Sequence, residues 1–208
     1  MIKDFSYKQF GNLYFQQESP KEDMLAKIEH HIKILFLPKD CKVQVDFQLF
    51  QIETDSLLFI NPNVVIKPIG NENTGEILLH FNRDFYCIEI HDHEVACDGI
   101  LYNNVFEVPF VQLNENQSAN IQNIIREIQS EMEFEDANSE EMLRILLKNI
   151  ILKSTRIWKQ QHQLSEQEQQ PEVQFLRKFS KLVEQHYKTH HSVADYAEML
   201  FFIFYNWL

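Results

Sequence analysis

The sequence predicts an α+β protein, a small antiparallel β-barrel or sandwich followed by helices. Three observations predict it. Residues 41–49 alternate apolar and polar side chains, the period of a half-buried strand. Several further short apolar runs are separated by turn signals, as small all-β units require. Beyond about residue 113 the period changes to that of a helix.

The elements follow in order. Ile32 to Leu37 is a short apolar run that ends at Pro38-Lys39-Asp40. Cys41, Val43, Val45, Phe47 and Leu49 then alternate with Lys42, Gln44, Asp46 and Gln48. The phase flips at Phe50 and Ile52, which calls for a turn or bulge near Gln48 to Phe50. Leu57 to Ile60 and Val64 to Ile66 are two apolar runs split by Asn61-Pro62-Asn63, a turn signal. Ile77 to Phe81 follows the turn between Gly70 and Gly75.

Ile121, Ile124, Ile125, Ile128 and Met132 share one helical face. Asn138 and Glu141 have the spacing of a capping box for the next helix, which runs from Met142 to about Gln160. Its acids, Glu140 and Glu141, come first. Its bases, from Arg144 to Lys159, come later, as the helix dipole favours. Leu143, Leu147, Ile151 and Leu152 widen its apolar surface beyond one stripe, so two sides need burial. Residues 160–170 are Gln-rich and aperiodic and read as a linker. Pro171 suits a first helical position, and Phe175, Leu176, Phe179, Leu182 and Val183 mark the following face. Ser192 with Asp195 forms another capping box, opening a short helix through Leu200. Residues 201–208 are almost wholly apolar and aromatic, which reads either as a truncated or out-of-frame ending or as an ordinary buried terminal strand or helix.

Composition narrows the function classes. A net charge of -12 argues against strong nucleic-acid binding by this chain, because phosphate contacts need a basic face. Only four Gly are present, and no phosphate-cradling loop or nucleophile elbow passes through them. The three Cys do not form a disulfide framework. Met1 to Phe15 has no apolar signal core, and no apolar stretch approaches a membrane span. The expectation is a cytoplasmic, reduced protein with no membrane contact. Most of the 17 Phe lie before Val111, giving the β part a large apolar payload.

Residues 80–104, from His80-Phe81-Asn82-Arg83 onward, resemble the end of the sensor domain in AraC-type (AraC/XylS) bacterial transcription regulators. Residues 55–67 (DSLLFINPNVVIK) look like the strand and turn that precede it there. Residues 175–200 resemble the opening of the family's DNA-binding domain, with SVADYAEML in the place of the first helix of a helix-turn-helix. The resemblance implies a cupin-like sensor at 1–112, a helical dimerisation element at 113–163, a linker at 164–170 and the start of a DNA-binding domain at 171–208. It also implies a homodimer, an effector small molecule, DNA contact only in a full-length form, and neither enzyme activity nor a cofactor. The family continues after Leu200 with a turn and a recognition helix, where this chain has residues 201–208. Bases are read through that second helix. Residues 171–200 also balance four bases (Arg177, Lys178, Lys181, Lys188) against four acids (Glu172, Glu184, Asp195, Glu198).

The candidate ligand site is Phe47, Phe59 and Phe81 lining a small barrel, with His80 beside them. The ordinary role of each ring is to fill the core. The candidate dimer surface is Leu143, Leu147, Ile150, Ile151 and Trp158. The rival reading is a cupin-type metalloenzyme acting on a small molecule. Cys87, His91, His93 and Cys97, together with Glu89, would share one face of a single strand, and thiolates and imidazoles suit zinc. Cupin enzymes use paired His spaced as in His91-x-His93, but they also want a nearby Glu and flanking glycines. Cys97-Asp98 stands there instead, so a polar surface segment outweighs a metal site. His30 and His31 are adjacent, cannot easily reach one metal, and read as a surface pair before a strand.

Overall fold

The computed structural model describes residues 2–7, 11–17, 27–68, 75–86, 100–102, 108–134, 138–162 and 171–205. The strands are β1 (Ile2–Tyr7), β2 (Gly11–Gln16), β3 (Ile32–Leu37), β4 (Lys42–Val45), β5 (Gln48–Gln51), β6 (Ser56–Ile60), β7 (Ile66–Pro68), β8 (Ile77–Phe81) and β9 (Phe110–Gln112). The helices are α1 (Arg83–Tyr86), α2 (Glu115–Glu131), α3 (Ser139–Gln161), α4 (Pro171–His186) and α5 (Val193–Tyr205). The fold class is α+β, antiparallel sheets followed by helices.

Six strands form one sheet in the order β1-β2-β8-β3-β6-β9, and three form a second in the order β5-β4-β7. Every pairing is antiparallel. Strand β3 is the centre of the large sheet and is buried along its whole length. Successive side chains in a strand point to opposite faces. Ile32, Ile34 and Phe36 therefore join Leu13, Phe15, Phe59, Leu79 and Phe81 on one face, packed against α2 and α3. Leu35 and Leu37 join Leu58, Ile60 and Leu78 on the other, packed against Val43, Val45, Ile52 and Ile66 of the small sheet and its surroundings. The large sheet thus lies between a helical layer and a smaller sheet.

The expected strand at 41–49 is two strands. Asp46 adopts a positive φ of 50°. Its backbone N–H donates to Val65 O (2.7 Å), and its carboxylate accepts from Val65 N–H (2.9 Å). The chain reverses at Asp46 and Phe47, before the point where the phase flip placed the turn, because Asp46 tolerates the left-handed region and ties it to the strand beside it. Asn63 also has a positive φ (66°), in the turn the sequence marks between β6 and β7. The hairpin of β1 and β2 was not expected. Leu13 and Phe15 pair with Phe5 and Lys3 of β1 and with Phe81 and Leu79 of β8, so β2 is an interior strand whose burial depends on both neighbours.

Asn114 and Gln117 form a reciprocal capping box on α2, with both bonds at 2.9 Å. Asn138 makes no side-chain cap bond to α3, since it is itself in a helical conformation. That corrects the expected box at Asn138 and Glu141. Ser192 and Asp195 do form theirs, at 3.0 and 3.2 Å. Helix α5 does not stop at Leu200 but continues to Tyr205. Among the described residues no helix is long and apolar enough to cross a membrane.

Candidate functional site

The register aligns one polar rung across the inner face of the large sheet. Tyr14 of β2 pairs with His80 of β8, His80 pairs with Lys33 of β3, and Lys33 pairs with Ile60 of β6. The next rung, Gln16, Leu78, Leu35 and Leu58, is apolar except at its edge. Polar chemistry is thus confined to one end of the space between the sheets. His31, two residues before Lys33, projects to the same face.

The rings of this end are stacked. Tyr14 lies 4.6 Å from His80 with an interplanar angle of 11°, and 5.6 Å from His31 at 22°. The imidazoles of His31 and His80 are joined by a hydrogen bond between their Nδ1 atoms at 2.9 Å. One ring must donate and the other accept, so the pair cannot carry two Nδ1–H groups at once. His80 is 2% exposed, and its Nε2 has no partner among the described residues. The buried Gln16 Oε1 likewise has none.

Lys33 is 1% exposed, and its ammonium donates to Glu29 O (3.2 Å) and His31 O (2.8 Å). No carboxylate forms an ion pair with it among the described residues. Burial lowers the Lys33 pKa to about 8, and the Glu29 charge opposes that shift only in part. Burial, with smaller contributions from His31 and Lys33, lowers His80 to about 3. Burial and the same lysine lower His31 as well. At neutral pH the rung therefore holds neutral imidazoles beside one buried ammonium.

The expected ligand-site residues do not come together. His80 faces the space between the sheets. Phe59 and Phe81 point the opposite way into the helix-facing core, with Phe59 edge-on to Tyr102 at 5.6 Å. Phe47 is 100% exposed, because it sits in the β4–β5 turn rather than in a strand. His31 is no surface residue either. Only His30 is exposed, bonded to Asn63 at 3.0 Å. Tyr14 and Lys33 were missed. A lysine in an otherwise apolar run (Ile32 to Leu37) is the signal that would have found Lys33.

The expected dimer residues are corrected too. Leu143, Leu147, Ile150, Ile151 and Trp158 are all buried in the chain's own core, against α2 and the sheet. Helix α3 turns a different stripe outward, with Met142 45% and Ile145 51% exposed. Asn149 and Leu152 are half-buried, and Arg156 is exposed. The candidates Cys87, His91, His93 and Cys97 lie outside the described residues. Among the described residues no group of three His, Cys, Asp or Glu could hold a metal ion.

Among solved structures the chain is similar to the crystal structure of the AraC-like transcriptional activator CuxR, at 9% identity and a TM-score of 0.39. The alignment covers 92% of this chain and 63% of that one, so the chain spans less than two thirds of its length. No family model and no curated protein matches the chain.

Proposed function

We propose that the chain is the ligand-sensing and dimerising portion of an AraC-type regulator, with a cupin-like β unit as sensor. The observation that carries the reading is the rung of Tyr14, His80 and Lys33, a polar row on the sheet face turned toward the smaller sheet, with His80 Nε2 buried and without a partner among the described residues. Buried polar atoms without partners are costly in a protein that merely folds, and natural for one that closes over a ligand.

Two further features fit. Residues 142, 145, 149, 152 and 156 repeat at the heptad spacing of a pairing seam on α3. Asn149 would occupy a polar seam position of the kind that fixes register. The helices α4 and α5 pack through Phe179 and Tyr196, edge-on at 5.8 Å, and Tyr196 Oη–H donates to His190 O at 2.8 Å. In this reading the pair stands for the family's lead helix and the first helix of a helix-turn-helix. DNA contact is proposed only for a form that carries a recognition helix. Ligand occupancy would shift the population of dimer arrangements and so the spacing of two DNA readers.

Coupling has a physical route. His80 lies on β8, and β8 runs into α1. Arg144 of α3 donates from Nε to Phe85 O of α1 at 2.6 Å and lies over the Phe85 ring. A change at the rung therefore reaches the helix that carries the seam.

Sedimentation tests the reading. The wild-type chain is expected to sediment as a dimer, and Ile145→Glu as a folded monomer. A wild type that stays monomeric at high concentration would sink the proposal. One equivalent of a transition metal in the purified protein would favour the metalloenzyme instead.

A further inference from the structure

Among the described residues four strands stand at sheet edges, β1 and β9 on the large sheet and β5 and β7 on the small one. An open edge offers its backbone to any extended chain, and native edges are blunted by charge, proline, shortness or cover. Three of the four are blunted. Strand β1 carries Lys3 and Asp4. Strand β7 is three residues long and carries Lys67 and Pro68. Strand β9 is also three residues long, and Gln161 Nε2 of α3 donates to its Gln112 O at 2.6 Å. Strand β5, Gln48-Leu49-Phe50-Gln51, has neither charge nor proline. Ile52 N–H donates to Cys41 O at 3.0 Å, so the antiparallel ladder to β4 bonds through residues 52, 50 and 48. The N–H and C=O groups of Leu49 and Gln51 therefore turn to the open side, where no strand lies among the described residues.

The side chains around this edge define what fits it. Phe50 is half-buried, with its ring 5.5 Å from Phe110. Phe47, Leu49 and Val65 form an exposed apolar margin at the hairpin tip, where Val65 is bonded to Asp46. Alternation puts Lys42, Gln44, Leu49, Gln51 and Lys67 on the outer face of the small sheet, opposite Val43, Val45 and Ile66. The three strands thus show two ammonium groups and no acid there, in a chain of net charge -12. We propose that β5 accepts an added strand from a partner protein, an extended segment with apolar side chains over Phe50 and acidic ones on the lysine face. Extended backbone meets two N–H and two C=O groups at strand spacing, and alternate side chains supply the selectivity. A second copy pairing by the same strand would bring two lysine-bearing faces side by side with no acid between them. Neither the α3 seam nor the Tyr14–His80–Lys33 rung takes part.

The test uses the full chain and three end-capped peptides, one alternating Val and Glu, one alternating Val and Lys, and the Val–Glu peptide N-methylated at every backbone amide. Calorimetric titration is expected to show saturable binding of the Val–Glu peptide. The Val–Lys peptide should bind at least about fivefold more weakly, because it meets the lysine face with like charge. The N-methylated peptide should bind about tenfold more weakly or worse, because it has no backbone donors. Leu49→Pro removes one N–H from the open side of an edge strand, where proline is tolerated, and should weaken Val–Glu binding by about fivefold or more. A further readout needs no variant. In the wild-type protein, hydrogen exchange at the Leu49 and Gln51 amides should slow as the Val–Glu peptide is added. No saturable binding, equal binding of the Val–Lys peptide, or binding unchanged by N-methylation would each overturn the proposal. So would a wild-type dimer that Leu49→Pro converts to a folded monomer, because a second copy would then occupy β5.

Discussion

The two faces of the large sheet are made from alternate residues of the same strands, yet they hold different chemistry. The face toward α2 and α3 is wholly apolar where it meets them, from Leu13 and Phe15 through Ile34 and Phe59 to Phe81. The face toward the small sheet is apolar at Leu35, Leu58 and Leu78 but carries Tyr14, His80 and Lys33 one rung away. Both faces are largely buried, with Tyr14 half-buried at the edge of the second, so burial alone does not separate core from site. What separates them is the kind of polar group. Among the described residues the helix-facing core leaves single uncharged atoms of Tyr102, Ser154 and Trp158 without partners, whereas the other side gathers two imidazoles and an ammonium in one place.

The largest expected effect breaks the stabilising face. Phe59→Ala should cost about 3–5 kcal/mol in denaturant unfolding, because the ring is fully buried and its cavity cannot collapse freely between sheet and helices. Lys33→Met, one position along the opposite face, should change stability by less than about 1 kcal/mol, since relief of desolvation offsets two lost hydrogen bonds. Equal losses for the two would erase the distinction between the faces.

Acid should sharpen the contrast. His80 is held near 3 in the folded protein, against an ordinary value of 6.5. Between these values the unfolded chain binds the proton and the folded one does not, so stability falls as pH drops below about 6.5. The slope approaches about 1.4 kcal/mol per pH unit for one such group, and His31 is shifted in the same direction. Lys33, with its pKa near 8, is already charged in both states there and adds no slope. Unfolding midpoints measured from pH 7 to pH 4 should show this loss in the wild type and a shallower one in His80→Gln. Identical slopes would mean that the rung is solvated.

The smallest effect concerns a residue on neither face. Phe47→Ser should alter stability by no more than about 0.5 kcal/mol, because its ring is fully exposed in the β4–β5 turn. A loss comparable to that of Phe59→Ala would show the turn packed against something in solution.

Much of the fold was legible. The apolar run from Ile32, the turn at Asn61-Pro62-Asn63 and the strand at Ile77–Phe81 stand where periodicity puts them. So do the two long helices of the middle segment and the Ser192 cap. The β1–β2 hairpin was not legible, because Leu13, Tyr14 and Phe15 are consecutive rather than alternating, and β8, the strand that places β2 inside the sheet, is distant in sequence. The site was read only in part. His80 was singled out, but its direction depends on strand register, which a sequence of period two leaves ambiguous by a full face. The same ambiguity put Phe59 and Phe81 beside it. On α3 the apolar residues outnumbered what one face needs, and which of them turn outward depended on where α2 and the sheet lie.

By itself, the sequence determined the α+β order, the approximate limits of β3, β6, β8 and the two middle helices, and most of the residues that must leave water, because those follow from local periodicity and turn chemistry. Only the tertiary structure decided which buried residues meet. Tyr14, His31, Lys33 and His80 come from three separated stretches of chain, and antiparallel pairing across β2, β8 and β3 brings them to one end of one face. Hydrogen-bond register between distant strands is a long-range property, and no local pattern encodes it.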